Sequence, residues 1–333
     1  MPPGLAGVLF VVSLIVTLLA AGLFARRLDR LGVRFGLPEA VVGLLTALAA
    51  DGPEVSSALV ALAKGAHDVS VGVLVGSNVF NLAAMLGVSA ILAGRVSLPR
   101  ETLLLEGLIG AAVTLVAAAV LLRWLAPVVA TLLLACILVP YALLLICGPR
   151  LLERLPQVGR LPAGLEFAPA QRDPPARPPD TSPRPTHHLL ALIALDVTLI
   201  VAGSIGMVET ALTLSSHWQI ARPVLGVLIL APLTSLPNAV TAVRLGLAHR
   251  GSALVGETLN SNTINLTAGV AVPALFVTLA SPSPTAKIDI SWLIAMTALT
   301  LVLLARPAGM RRGGAAVLIC LYLGFVAVQL ASA

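Results

Sequence analysis

Long apolar segments recur along the whole chain and are separated by short polar turns. Most hold about 20 residues, the length that an α-helix needs to cross a hydrocarbon layer about 30 Å thick. They are rich in Leu, Ala and Val and lack the two-residue alternation of strands, so they predict helices. The sequence therefore predicts an all-α membrane protein with ten transmembrane helices. The predicted spans are 4–25, 37–62, 69–93, 102–122, 126–147, 189–214, 223–248, 252–280, 288–305 and 313–330.

The composition supports this interpretation, because hydrophobic residues make up 58% of the 333 residues and charged residues only 11%. Soluble domains carry about 25% charged residues, so this chain cannot form the polar surface of a soluble protein. Aromatic residues, at 4%, are too few for the girdles of a membrane β-barrel. The three cysteines are interpreted as small hydrophobic core residues. The sequence contains no basic patch interleaved with aromatic residues, so we expect no nucleic-acid partner.

The basic residues predict the orientation of the chain in a cell membrane. Of the 21 Lys and Arg residues, 17 lie in the turns that follow the odd-numbered spans or in the long connection 148–187. Positive charge marks the cytoplasmic side, so we expect both termini outside and the 148–187 loop in the cytoplasm. This loop is rich in proline and arginine and poor in apolar residues, which indicates a linker without a core.

The linker separates two halves that carry the same polar interruptions. Five residues recur after an offset of 184: Pro53/Pro237, Gly72/Gly256, Ser77/Ser261, Asn78/Asn262 and Asn81/Asn265. Each half has five spans, an odd number, so the second copy must be inverted relative to the first. We therefore divide the chain into a first five-helix repeat (1–147), a cytoplasmic linker (148–187) and a second five-helix repeat (188–333). Inverted repeats place a transport site near the midplane, where helices are broken.

The repeated motifs lie in 37–93 and 223–280. The first contains Asp51-Gly52-Pro53-Glu54 and Gly76-Ser77-Asn78-Val79-Phe80-Asn81, and the second contains Thr234-Ser235-Leu236-Pro237-Asn238 and Asn260-Ser261-Asn262-Thr263-Ile264-Asn265. These segments and the ten-span layout resemble the cation/calcium exchanger family, which includes the sodium/calcium exchangers. The resemblance implies a midplane cation site formed by residues at the matching positions. They are Asp51, Glu54, Ser77, Asn81, Thr234, Ser235, Asn238, Ser261 and Asn265.

The chain also departs from the family's pattern. Asp51 stands where a serine is usual, and Asn238 stands where the second glutamate is expected. Glu257 is an additional acid, at the position that matches Val73 in the first repeat. The chain is thus identified as a divergent member of the family.

The residues themselves favour hard cations. Calcium and sodium are held by carboxylate, amide, hydroxyl and backbone oxygens, and Asp51 and Glu54, three residues apart, project to one side of a helix. We expect these two to be the charged ligands of Ca²⁺ or Na⁺. Glu257 lies about two helical turns from Asn265 toward the cytoplasm. We therefore expect it to help cations enter the site from the cytoplasmic side. Asn78 and Asn262 are expected to form hydrogen bonds between helices.

These expectations combine into a secondary active antiporter that exchanges calcium for sodium or protons by alternating access, with no cofactor and no enzymatic activity. Two other interpretations remain open, a transport-inactive membrane scaffold of the same fold and an intramembrane enzyme acting on lipid. Asp51 and Glu54 could also form a helix-capping box, which is compatible with cation binding. The expected partners are the bilayer and small cations, and the sequence leaves the oligomeric state open.

Overall fold

The computed structural model describes residues 1–37, 39–147 and 186–331 of the chain, and nearly all of them are helical. The first half contains α1 (Pro3–Arg34), α2 (Glu39–Ala50), α3 (Gly52–Ala63), α4 (His67–Ala93), α5 (Arg100–Leu121) and α6 (Pro127–Cys147). The second half contains α7 (Thr186–Trp218), α8 (Arg222–Thr234), α9 (Leu236–Leu247), α10 (Gly251–Leu266), α11 (Pro284–Leu304) and α12 (Arg312–Ala331). The linker predicted at 148–187 lies almost entirely outside the described residues.

Two helix pairs are broken at equivalent positions of the two repeats. Asp51 separates α2 from α3 with φ −79° and ψ −5°, and Ser235 separates α8 from α9 with φ −83° and ψ −5°. A proline is the second residue of each following helix, Pro53 in α3 and Pro237 in α9, and its missing N–H interrupts the helical hydrogen bonds. The second pair is bent by 50° at its break.

Wider π-helical turns occur in or directly after three of the helices that surround these breaks. They cover Leu82–Val88 in α4, Leu225–Leu230 in α8, and Thr267–Ala271 directly after α10. Such turns are rare and concentrate near functional sites. Their positions give a first indication that the functional region lies around α4, α8 and α10.

Among the described residues, six helices are long and apolar enough to cross a membrane, and the bent pair α8–α9 would be a seventh. The broken helices α2 and α3 have 12 residues each, and α10 has 16 with many polar side chains, so none of them meets that length by itself. An all-α membrane protein built from two repeats is confirmed. The count of ten spans stays a prediction, because the broken spans are not single long helices.

The helices differ sharply in burial. In the most apolar stretch of α4, 78% of the residues are buried, against 17% in α1 and 22% in α7. Helix α4 is therefore central, and α1 and α7 lie side by side at the periphery. Arg27 of α1 forms an ion pair of 2.5 Å with Asp196 of α7, so this buried acid has a structural partner.

Contacts between turns show which helix ends share a side of the bundle. Strand β1 (Arg95–Val96), after α4, pairs antiparallel with β2 (Met310–Arg311), before α12. At the other end of the bundle Arg123, after α5, donates to Ser281, which precedes α11. We call the side that contains β1 and β2 the linker side, since α6 ends and α7 begins there by helix order.

The expectation that the cysteines lie in the core is wrong for two of the three, and the side chain of Cys147 lies outside the described residues. Cys136 and Cys320 are exposed on the surface of the helical bundle, whereas the sequence suggested core positions. A thiol is apolar enough for a surface that faces lipid, so an apolar segment does not reveal which of its residues point inward.

Candidate cation site

The two helix breaks bring Asp51 and Glu54 into the centre of the protein. Asp51 is 1% exposed and Glu54 is fully buried. Asp51 occupies the N-cap position of α3, but its side chain makes no capping hydrogen bond. The carboxylate points to the second repeat instead, which removes the capping box as the explanation for Asp51.

The Asp51 carboxylate accepts two hydrogen bonds from the second repeat. Asn238 Nδ2 donates to Asp51 Oδ1 over 2.7 Å, and Ser261 Oγ donates to the same oxygen over 2.6 Å. The donors come from α9 and α10, whereas Asp51 lies between α2 and α3. The carboxylate therefore lies on the interface between the two inverted halves.

Glu54 is held in the same way by its own partners from the second repeat. Asn265 Nδ2 donates to Glu54 Oε2, and Asn238 Nδ2 lies 3.5 Å from Glu54 Oε1. Ser235 also lies beside the Glu54 carboxylate. Asn238, the repeat-related counterpart of Glu54, thus contacts both carboxylates.

A second layer of amides connects this centre to α4. Asn81 Nδ2 donates to Ser261 Oγ and to Asn262 Oδ1, each over 3.2 Å. Asn262 in turn donates to the Asn78 backbone carbonyl over 3.2 Å. Asn262 therefore links α10 to α4, as the sequence suggested, whereas Asn78 donates to Leu74 of its own helix.

Two of the nine predicted ligands make other contacts. Ser77 Oγ lies 3.5 Å from the Ala231 carbonyl, and Thr234 Oγ1 donates to the carbonyls of Leu230 and Ala231 over 2.9 and 3.1 Å. Their hydroxyls thus meet backbone oxygens of α8. The other seven predicted residues share the central cluster: Asp51, Glu54, Asn81, Ser235, Asn238, Ser261 and Asn265.

The donor set of this cluster fits a hard cation. Five buried oxygens in it have no hydrogen-bond partner, namely Asp51 Oδ2, Asn81 Oδ1, Ser235 Oγ, Asn238 Oδ1 and Asn265 Oδ1. Buried oxygens without a donor are costly, and a cation with oxygen ligands would satisfy them. Across the described ranges, no three His, Cys, Asp or Glu side chains converge on one point. The cluster therefore offers two carboxylates surrounded by neutral oxygens.

The structure also shows polar contacts that sequence reasoning missed. The Glu106 carboxylate lies against Gly256 in the bundle. Nearby, Tyr141 donates to Asn260 over 3.2 Å. A sequence signal existed, since Asn260 precedes the predicted Ser261 directly in the second motif. Only the packing of α5 and α6 on α10 reveals these partners.

Sequence comparison identifies one family over almost the whole described chain. The family described as "Sodium/calcium exchanger protein" matches residues 5–147 and 188–331. The inner membrane protein YrbG of Escherichia coli (strain K12) is 24% identical over 272 residues, which cover 81% of this chain and 80% of that protein.

Solved structures share the fold at low sequence identity. The sodium-calcium exchanger NCX_Mj, soaked with Na⁺ and Sr²⁺, superposes with a TM-score of 0.61 at 20% identity, covering 98% of this chain and 99% of that one. Native YfkE superposes with a TM-score of 0.66 at 15% identity, covering 97% and 92%. These likenesses confirm the helical two-repeat architecture.

Proposed function

The chain belongs to the sodium/calcium exchanger protein family, a family of membrane cation exchangers, and on this premise we propose that it moves calcium in exchange for sodium or protons. The proposal places the transported cation among Asp51, Glu54 and the amides around them. Alternating access would expose this midplane site first to one side of the membrane and then to the other.

The observation that carries the proposal is the pair of buried carboxylates bridged by Asn238 from the opposite repeat. Two carboxylates in a low-dielectric interior are costly unless they are paired or neutralised. One divalent cation, or two monovalent cations or protons, would neutralise them. Because the carboxylates and their partners come from different repeats, relative movement of the repeats should be easy only when the site is loaded. Obligatory loading before movement is the property of an exchanger.

The amides can serve both the carboxylates and a cation. Asn238 and Asn265 direct their nitrogens at the carboxylates, and their oxygens accept no hydrogen bond. Rotation of an amide by a half turn exchanges its donor for its acceptor. Such a rotation would turn neutral oxygens toward a bound cation, so the ligand number of calcium, about 6–8, is within reach of the cluster.

The transport-inactive scaffold is the second candidate, and its support was the missing glutamate at 238. The geometry weakens that support, because Asp51 contributes a second carboxylate that contacts Asn238 itself. A lipid-acting enzyme would need its acid and base groups near the membrane surface. Here the predicted charged ligands are 0–1% exposed at the centre of the bundle.

Radioactive calcium uptake into proteoliposomes tests the proposal. We expect the parent protein to take up calcium down a sodium or proton gradient, and Glu54→Gln to abolish this uptake. Glu209→Gln is the matched control, since Glu209 is an exposed acid paired with Lys64 away from the site. It should transport like the parent.

Two results would contradict the proposal, an inactive parent protein or a Glu54→Gln variant with full uptake. Separate sodium and pH gradients identify the coupling ion. Uptake that needs a pH gradient and no sodium would favour protons, and strict sodium dependence would exclude them.

A further inference from the structure

The two sides of the central site are built differently, although the repeats that form them are related. On the side opposite the linker, α8 leads to the site and packs closely on α4. An added Cβ at Gly226 would lie 2.6 Å from the Val69 carbonyl, and one at Gly76 would lie 2.9 Å from Ala231 Cβ. Small residues allow this backbone contact, and it closes the approach along α8.

In the second repeat, Gly256 has no equivalent backbone contact among its nearest neighbours. Gly256 corresponds to Gly72, but the three nearest atoms to its added Cβ all belong to the Glu106 carboxylate. Asn260 stands where Gly76 is found in the first repeat, and its side chain contacts Tyr141. This face of α10 is thus filled by side chains of α5 and α6.

The exposure of α2 and α8, the two helices that lead to the breaks, also differs between the repeats. Thr46, Ala47 and Ala50 of α2 are partly exposed. Their repeat-related counterparts in α8 are completely buried: Leu230, Ala231 and Thr234. Helix α8 is therefore tightly packed on the opposite side of the site, whereas α2 is packed less tightly on the linker side.

Glu257 lies on the linker side of the site, in the first half of α10. It begins a stripe on α10 that continues with Ser261 and Asn265, one and two helical turns further on, or about 6 and 12 Å. Ser261 donates to Asp51 and Asn265 donates to Glu54. Glu257 is half-buried, whereas Ser261 and Asn265 are buried. The stripe therefore leads from the partly exposed Glu257 to the two partners of the buried carboxylates.

We propose that Glu257 recruits divalent cations on the linker side, one helical turn before the central site, and that the repeat-related position on the opposite side has no such carboxylate. Its counterpart in the first repeat is Val73, which is apolar and fully buried. A carboxylate in a narrow approach raises the local cation concentration. The exchanger would therefore load calcium more readily from the linker side than from the other side. This inference rests on the proposed exchange function.

Sided calcium transport by Glu257→Gln tests the inference. Inside-out and right-side-out membrane vesicles present opposite sides of the protein, and protease cleavage of the linker identifies which side faces the solution. We expect the calcium concentration for half-maximal uptake from the linker side to rise about fivefold or more. From the opposite side it should change by less than about twofold, because the approach there lacks this carboxylate.

Two variants control for charge and for folding. Glu101→Gln removes an acid at the linker-side end of α5, outside the stripe, and should leave both values unchanged. Glu257→Asp keeps the charge and should retain most of the linker-side affinity. In the parent protein, added inert salt should weaken linker-side loading more than opposite-side loading, because it screens the attraction between Glu257 and the approaching cation.

Equal shifts on both sides would overturn the inference and would place Glu257 within the central site. No linker-side shift, together with equal salt effects on the two sides, would overturn it as well. A parent protein without any exchange is a different outcome, because it would refute the proposed function itself.

Discussion

At the scale of single residues, the candidate site carries both negative charges on one helix break. Asp51 and Glu54 lie in the first repeat, and the equivalent positions of the second repeat are Ser235 and Asn238. All four are buried around one centre. In the pattern of the family that the sequence resembles, the second carboxylate is expected at position 238, in the second repeat. In this chain it is at position 51, in the first repeat, so the number of carboxylates at positions 51, 54, 235 and 238 is still two.

This relocation predicts the behaviour of a paired substitution. Asp51→Ser leaves one carboxylate and should weaken calcium binding at least about tenfold, since a divalent ion then keeps an unbalanced charge. Asp51→Ser combined with Asn238→Glu restores two carboxylates and should recover most of the binding. Isothermal titration with calcium in detergent measures both. A double variant as weak as the single one would show that position, and not charge, decides binding.

At the scale of elements, the sequence predicted the helix breaks but not the close crossing of α4 with α8. Prolines at the same offset in both repeats predicted the breaks at Asp51 and Ser235, because a missing N–H acts locally. The crossing of α4 with α8 was not predictable. It depends on Gly226, a residue without a glycine counterpart in the first repeat, and on which helix lies opposite.

The crossing predicts a stability effect. Gly226→Ala places a methyl group 2.6 Å from the Val69 carbonyl, and such overpacking costs about 1–3 kcal/mol. We expect a lower thermal unfolding temperature in detergent. Gly22→Ala is the control, because an added Cβ there meets open space and should leave the unfolding temperature nearly unchanged. Equal temperatures for the two variants would argue against a tight crossing.

At the scale of the whole molecule, contacts between turns fix which helix ends share a side, and charge predicts which side is cytoplasmic. The strand pair and the Arg123–Ser281 contact lie at opposite ends of the bundle. The excess of arginine on the linker side predicts that this side faces the cytoplasm.

Cysteine labelling tests the orientation. In a variant with all three native cysteines replaced by alanine, Gln171→Cys lies in the linker and Ser216→Cys lies near the exposed end of α7 at the opposite side. A membrane-impermeant maleimide applied to intact cells should label Ser216→Cys alone and should reach Gln171→Cys only after permeabilisation. The reverse pattern would invert the predicted topology.

The sequence by itself determined the membrane class and the inverted repeats, because these depend on hydrophobic length and helix parity, and its resemblance to the exchanger family implied the seven residues that meet in one cluster. The tertiary structure decided the partners of Asp51 and Glu54, the backbone contacts of Ser77 and Thr234, and the unequal packing of α8 and α10 on their neighbours. Those features arise where helices that are far apart in the sequence touch. A contact between two such helices produces no periodic pattern in the sequence of either helix.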